Sequence, residues 1–114
     1  MDNTYRVTVE QSGLVHLPEA ALAVLGAQAI IVPGKDNGIA LYRPEEWERL
    51  VTLILMQPGN NERWLRATMA RAVEAELSEG TVQLSTMMRE YACIDKEAEL
   101  TVEEHCVILS AAEE

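Results

Sequence analysis

Alternating apolar residues near the start of the chain predict a β-strand. Tyr5, Val7 and Val9 are apolar and the residues between them are polar, which is the period-two pattern of a strand with one buried face. The polar segment Gln11–Gly13 interrupts this pattern, and glycine readily adopts the positive φ of a tight turn. We therefore predict a turn there, followed by a second short strand over residues 14–17.

A short helix and a β-hairpin are predicted next. Pro18 suits the first position of a helix, because its missing N–H would be unpaired there in any case. Gly26 is a favoured residue at a helix C-terminus. The apolar runs at residues 29–32 and 39–42 flank the turn-rich sequence PGKDNG, a pattern typical of a hairpin. The predicted order is thus strand, turn, strand, short helix, hairpin.

Two longer helices are predicted in the middle of the chain. The first begins at Pro44, and the two glutamates that follow favour the positive end of the helix dipole. The sequence PGN at residues 58–60 ends this helix, and Asn61 can cap the next one. Two sets of residues there should differ in exposure: Trp64, Leu65, Thr68 and Ala72 point inward, whereas Arg63, Arg66 and Arg71 form a loose cluster in solvent.

The helix that begins at Pro44 is more apolar than a small core requires. Leu53 and Leu55 widen its apolar stripe beyond the face that a single small core covers. We predict that another subunit covers the excess surface, so that the chain forms a closed ring or another homo-oligomer. The candidate interface residues are Trp47, Leu50, Leu53 and Ile54.

The second half of the chain repeats the pattern of the first. An ungapped overlay aligns these residues pairwise: Gly13 with Gly80, Val15 with Val82, Leu17 with Leu84, Pro18 with Ser85 and Gly26 with Cys93. Residues 73–77 alternate like a strand, Ser85 can cap a short helix, and residues 98–102 and 106–109 are predicted as two further strands. The pattern indicates a duplicated supersecondary unit.

A single unit of short strands would bury too little apolar area to fold alone, whereas two units paired about a pseudo-twofold axis would bury enough. The predicted fold is therefore α+β, with two related β units in one chain and two connecting helices. The first unit and its helix occupy residues 1–57, the connecting helix residues 58–71 and the second unit residues 72–114, all within one compact body.

Composition narrows the set of functions. The 114 residues carry a formal net charge of −10, which opposes generic binding to nucleic acids or to anionic membrane surfaces. The first residues lack the basic and apolar regions of a signal peptide, and the longest apolar run, LVTLILM, is too short to span a bilayer. We therefore expect a cytoplasmic protein with no membrane partner.

No motif for catalysis or for cofactor binding is present in the sequence. It contains no phosphate-binding or dinucleotide-binding loop, no HExxH and no nucleophile elbow. His105 beside Cys106 falls short of the ligand count of a zinc site. Cys93 and Cys106 lack the CxxC spacing, and we expect both to be reduced, buried thiols. We predict a protein that is not an enzyme and holds no cofactor or metal.

Two segments resemble a known family. LYRPEEWERL resembles the segment in which MraZ proteins carry a Leu-Tyr-Pro-x-x-Trp motif, and LSTMMREYACIDKEAEL resembles the Leu-Arg-x-Tyr-Ala-Gly-Leu block of their second half. The resemblance implies two AbrB-type swapped-hairpin units within one chain. It also implies a bacterial transcriptional regulator that assembles into rings and binds repeated DNA sites upstream of division and cell-wall genes, in the cytoplasm and at the nucleoid.

The motif with which that family contacts DNA, Asp-x-x-Gly-Arg, is altered in both copies. Glu10 and Leu77 occupy the aspartate positions, Leu14 and Thr81 the arginine positions, and Gly13 and Gly80 the glycine positions. The planar fork of an arginine can bind a phosphate or a guanine edge with paired hydrogen bonds. Its replacement in both copies therefore bears directly on DNA binding.

Residues on or beside the two turns are candidates for contact with nucleic acid: Arg6, Glu10, Gln11, Gly13, His16, Gly80 and Gln83. The simpler interpretation is that they are exposed strand and turn residues without such a role. Two functions follow. The family resemblance favours an oligomeric DNA-binding regulator. The altered motifs and the acidic charge favour a divergent oligomeric interaction protein that pairs with a paralogue or with another protein.

Overall fold

The computed structural model describes residues 3–57, 59, 61–77 and 79–112, and the side chains of these residues other than 35, 61, 62 and 64. The elements in chain order are β1 (Thr4–Thr8), β2 (Leu14–His16), α1 (Glu19–Leu25), β3 (Gln28–Pro33), β4 (Ile39–Tyr42), α2 (Pro44–Met56), α3 (Asn61–Ala70), β5 (Val73–Glu76), β6 (Thr81–Gln83), α4 (Thr86–Ala92), β7 (Glu97–Val102) and β8 (Cys106–Ala111). The α+β class is confirmed.

The repeat seen in the sequence appears as a repeat of elements. β6 and α4 begin and end at the positions that the overlay aligns with the ends of β2 and α1. The predicted hairpin is also present, because β3 pairs antiparallel with β4. Ser85 caps α4 as predicted: its Oγ accepts a hydrogen bond from the backbone N–H of Met88 at 3.2 Å.

Each half of the chain supplies strands to the other half. A six-stranded sheet has the order β1-β7-β8-β4-β3-β5, and β2 pairs with β6 in a separate two-stranded ribbon. The outer strand β1 therefore pairs with β7 of the second half, and the outer strand β5 pairs with β3 of the first half. The strand order is therefore symmetric about the centre of the sheet. Counted from opposite ends, β1, β7 and β8 occupy the same places as β5, β3 and β4.

One hydrophobic core lies between the sheet, the ribbon and the two short helices. It contains buried residues of both halves, among them Val15, Leu41, Val82 and Leu100. Burying an aliphatic side chain of this size contributes roughly 1.5–3 kcal/mol relative to leaving it exposed. Most of the stabilising burial thus depends on both halves being in place.

The two glycine turns bond to each other's halves. Gly13 has a φ of 95°, and its carbonyl oxygen accepts the backbone N–H of Leu84 at 2.9 Å. Gly80 has a φ of 72°, and its carbonyl oxygen accepts the backbone N–H of Leu17 at 2.9 Å. This reciprocal pair of hydrogen bonds fixes the ends of the ribbon.

The helices α2 and α3 cover the opposite face of the sheet. Trp47 is buried there against Ile30, Val32 and Ala40, whereas the neighbouring residues of β3 face the main core. As predicted, α2 begins at Pro44. The α3 residues predicted to face inward include Leu65 and Thr68, and both are buried. Residues 58 and 60, and the side chains of residues 61 and 64, lie outside the described part of the structure.

Two expectations about helix ends were wrong. Pro18 has an extended backbone with a ψ of 158° and precedes the helix, which begins at Glu19. Arg71 lies beyond the end of α3, and its guanidinium is 5.8 Å from the centroid of the Tyr91 ring rather than on the face of the helix. The first helix therefore begins one residue later, and α3 ends before Arg71, in contrast to the pattern of side chains.

Three burial expectations were also wrong. Tyr5 and Val73 are exposed because they lie on the two edge strands of the sheet, where little covers the inward face. Cys93 is exposed as well. It ends α4 in the left-handed conformation, with a φ of 56°, at the position that the overlay aligns with Gly26. A residue that reverses the chain at a helix end lies at the surface.

Cys106 is a buried thiol, as predicted, and its Sγ–H donates a hydrogen bond to Oε1 of Glu103 at 3.4 Å. Burial raises the pKa of Cys106 to about 12, and the hydrogen bond and negative charge of Glu103 act in the same direction. Burial also raises the pKa of the neighbouring Tyr42. Both groups therefore stay neutral in the folded protein at pH values that would ionise them in the unfolded chain.

In the described part of the chain, no three His, Cys, Asp or Glu side chains form a group that could hold a metal ion. None of the described helices is long and apolar enough to cross a membrane.

We predict that Gly13→Ala destabilises the protein far more than Gly80→Ala, although the two glycines occupy equivalent turns. An added Cβ at Gly13 would collide with the carbonyl oxygen of Leu84, whereas at Gly80 the nearest atom, Cδ1 of Leu22, is at an ordinary 3.5 Å. Gly80→Ala then costs only the left-handed strain of about 1–2 kcal/mol, and Gly13→Ala about 3 kcal/mol or more. Urea unfolding followed by tryptophan fluorescence measures both, and equal losses would contradict the geometry.

We predict that stability falls as the pH rises from about 9 to about 12. The unfolded Cys106 thiol ionises near its usual pKa of 9.0, whereas in the folded protein its pKa is about 12. The stabilisation from keeping it neutral is full below pH 9 and is lost progressively up to the folded pKa. Cys106→Ala should flatten the dependence of the free energy of unfolding on pH in this range. The matched control, Cys93→Ala, removes the exposed thiol and leaves the buried one in place.

Candidate nucleic-acid interface

The ribbon formed by β2 and β6 presents one polar face to solvent. Its central pair, Val15 and Val82, is buried in the core. Since successive residues of a strand point to opposite faces, the flanking pairs lie on the outer face. These pairs are Leu14 opposite Gln83 and His16 opposite Thr81, and we refer to these four residues as the ribbon face.

Both positions that carry arginine in the Asp-x-x-Gly-Arg motif lie on the ribbon face. Leu14 follows the first turn and Thr81 follows the second, and they stand diagonally across the ribbon. Both side chains are half-buried, while His16 and Gln83 are exposed. The ribbon face therefore holds both of these positions but carries no permanent positive charge.

The two turns lie at opposite ends of the ribbon. Gly13 sits beside Leu84 and Gly80 sits beside Leu17, with the three paired positions between them. At ~3.3 Å per residue, the turns are about 13 Å apart. They are thus parts of one continuous surface without touching each other.

The first turn, at residues 10–13, gathers most of the polar candidates. Nε2 of His16 lies 2.9 Å from Oε2 of Glu10. Nε2 of Gln83, which belongs to the other half, donates a hydrogen bond to the carbonyl oxygen of Ser12. The structure thereby brings together Glu10, Gln11, Gly13, His16 and Gln83, whereas Gly80 lies at the other end of the ribbon.

Arg6 lies on the six-stranded sheet, away from the ribbon face. Its Nε forms an ion pair with Oε2 of Glu97 at 2.5 Å, across the pairing of β1 with β7. Both side chains are about half exposed, so this pair contributes about 1 kcal/mol or less. Arg6 is therefore beside the first turn in sequence and on a neighbouring surface in space.

Arg89 is a residue at this site that the sequence reasoning did not single out. From α4 of the second half, its Nη1 donates to the carbonyl oxygen of Gln11 at 3.1 Å, and its Nη2 donates to that of Asp95 at 3.4 Å. Among the described residues its buried Nε has no hydrogen-bond partner. The available signal was its place in the REYA segment, where the family pattern also has arginine.

A second surface is apolar and lies on the helices α2 and α3. Leu53, Leu55, Met56 and Met69 are all exposed, and Leu55 and Met56 have 62% and 75% of their surface in solvent. Leu50 and Ile54 line an adjacent groove of about 800 Å³. Trp47, a predicted interface residue, is instead buried by its own sheet and packs against the ring of Tyr42, with centroids 5.7 Å apart.

Sequence comparisons place these features in a family, although no family model matches the chain. The chain is 31% identical over 98 residues to the transcriptional regulator MraZ of Alkaliphilus oremlandii, an alignment that covers 82% of this chain and 68% of that protein. It is 31% identical over 97 residues to the MraZ of Carboxydothermus hydrogenoformans, with the same coverage. The MraZ of Desulfitobacterium hafniense is 32% identical over 101 residues, which cover 84% and 70% of the two chains. With this similarity extending through both halves of the fold, the chain belongs to the MraZ family.

Proposed function

We propose that this protein is a DNA-binding transcriptional regulator that presents the ribbon face to its operator. The observation that carries the proposal is the position of Leu14 and Thr81: both motif positions lie on one exposed face of one ribbon. Its relatives are named transcriptional regulators. By that relationship its targets would be bacterial division and cell-wall genes, and it would act in the cytoplasm, at the nucleoid.

The strand exchange supports a tandem pair of AbrB-type swapped-hairpin units, with the first unit in residues 1–57 and the second in residues 72–114. In such an arrangement each unit is completed by strands of the other, as β1 with β7 and β5 with β3 illustrate. The consequence for function is that the ribbon is built from both units. A change in one unit then alters the shape of the whole DNA-facing surface.

The chemistry of the ribbon face favours contact with bases over contact with phosphates. The amide of Gln83 can donate and accept hydrogen bonds at a base edge, and the methyl group of Thr81 can contact a thymine methyl. Phosphate contacts, by contrast, come mainly from cations, and the net charge of the chain is −10. The binding should therefore be weak for a single subunit and should depend little on salt concentration.

We predict that restoring arginine on the ribbon face strengthens operator binding. Leu14→Arg, which restores the arginine at the first end of the ribbon, should tighten binding to the DNA upstream of the protein's own operon roughly tenfold, and it should steepen the slope of log affinity against log salt by about 1. His105→Arg, in the exposed turn between β7 and β8, adds an arginine away from the ribbon. It should change both quantities much less. Fluorescence anisotropy titrations at several salt concentrations measure these effects.

The wild-type protein in the same titration decides between the two classes of function. Binding to the operator above that to random DNA of equal length supports a DNA-binding regulator. Operator affinity equal to that for random DNA, even at low salt, would contradict it. That outcome would favour the alternative, an oligomeric interaction protein that pairs with a paralogue or with another protein.

Self-association through α2 and α3 is the second part of the proposal. Leu53, Leu55 and Met56 are exposed apolar side chains on one helix, and they adjoin the groove lined by Leu50 and Ile54. Clustered exposed apolar side chains of this kind are typical of an interaction surface. Burial of this surface between copies would produce the ring or other homo-oligomer. Repeated subunits would then add their weak individual contacts with repeated DNA sites.

We predict that the wild-type protein is oligomeric at micromolar concentration and that Leu53→Glu shifts it toward the monomer, because a charge would be buried at the interface. Ala23→Glu adds the same charge at an exposed position of α1 and should leave the mass unchanged. Light scattering coupled to size-exclusion chromatography measures the mass directly. A monomeric wild-type protein would refute this part of the proposal.

A further inference from the structure

The two ends of the ribbon differ in charge, although the fold makes them equivalent. At the first end, Arg89 of α4 reaches the turn and contacts the carbonyl oxygen of Gln11. The overlay aligns Arg89 with Leu22, and Leu22 lies beside Gly80 at the second end. The same site in the fold therefore holds a cation at one end and an aliphatic side chain at the other.

A second basic residue follows the same rule. The backbone N–H of Val9 donates to the carbonyl oxygen of Lys96 at 2.8 Å, which places exposed Lys96 beside the first turn. The overlay aligns Lys96 with Ala29, which is buried in the core. The exposed lysine at the first end thus has no charged counterpart at the aligned position of the other half.

The acidic residues have the opposite distribution. Exposed glutamates at positions 74, 76 and 79 lie on β5 and in the turn that follows it, and the overlay aligns them with Val7, Val9 and Ser12 of the first half. On that side Arg43 shares a shallow pocket with Glu76, and its Nε is paired with Glu45 at 3.3 Å. The second end therefore presents mainly negative charge.

The first end carries charges of both signs. Glu10, Asp95 and Glu97 lie around it together with Arg89, Lys96 and the imidazole of His16. Because DNA is a polyanion, the free energy of approach is more favourable for an end of mixed charge than for an end with three exposed glutamates. The difference is strongest at low salt.

We infer that the ribbon meets DNA asymmetrically: the turn at residues 10–13 contacts the duplex, and the turn at residues 77–80 is held away from it. This inference rests on the proposed function and specifies which part of the ribbon face performs it. Each chain would then contact one half-site, despite having two structurally equivalent turns.

Site-directed photo-crosslinking tests the inference at two matched positions. Ser12 and Glu79 are aligned by the overlay, are both exposed, and belong to the first and second turns. In a Cys93→Gly background, which removes the exposed native thiol, Ser12→Cys and Glu79→Cys are each labelled with azidophenacyl bromide. Each labelled protein is irradiated in low salt with the DNA upstream of its own operon.

The expected result is crosslinking to DNA from position 12 at a yield at least about tenfold above that from position 79. Comparable yields from both positions, or a higher yield from position 79, would overturn the inference while leaving operator binding intact. Crosslinking from neither position, with binding retained in the titration, would also overturn it. Loss of specific binding in the titration itself would overturn both this inference and the proposed function.

Discussion

The fold depends on the reciprocal hydrogen bonds between the two halves at the ends of the ribbon. The carbonyl oxygens of Gly13 and Gly80 accept the backbone N–H groups of Leu84 and Leu17, and each bond requires a glycine turn of one half to meet a strand end of the other. Both glycines have positive φ values, so the backbone reaches this arrangement without steric strain. The buried pair Val15 and Val82 is aligned between them.

That constraint explains the rest of the architecture. Once β2 and β6 are paired, the strands before them are carried across to the opposite half, where β1 pairs with β7 and β5 with β3. The apolar faces of both halves then close over one core. The helices α2 and α3 join the halves along the other side of the sheet, where their own apolar surface is only partly covered.

The candidate site illustrates how duplication permits divergence. A fold with two equivalent turns needs both for stability, because each glycine carbonyl bonds the opposite half, but the side chains around the turns are free to differ. Here Arg89 and Leu22 occupy equivalent places beside the two turns, so one turn has a cation beside it and the other an aliphatic side chain. The backbone symmetry is kept, while the electrostatic symmetry is lost.

The sequence by itself determined the local elements and their repetition. The alternation of apolar and polar residues predicted the strands, and Ser85 predicted the cap of α4. The overlay predicted that β6 and α4 repeat β2 and α1. These predictions depend on patterns along the chain. Only the tertiary structure decided which strands pair, that Cys93 is exposed, that Trp47 is covered by its own sheet, and that Arg89 reaches the first turn. These facts depend on contacts between residues far apart in the chain, and no pattern of neighbouring residues carries that information.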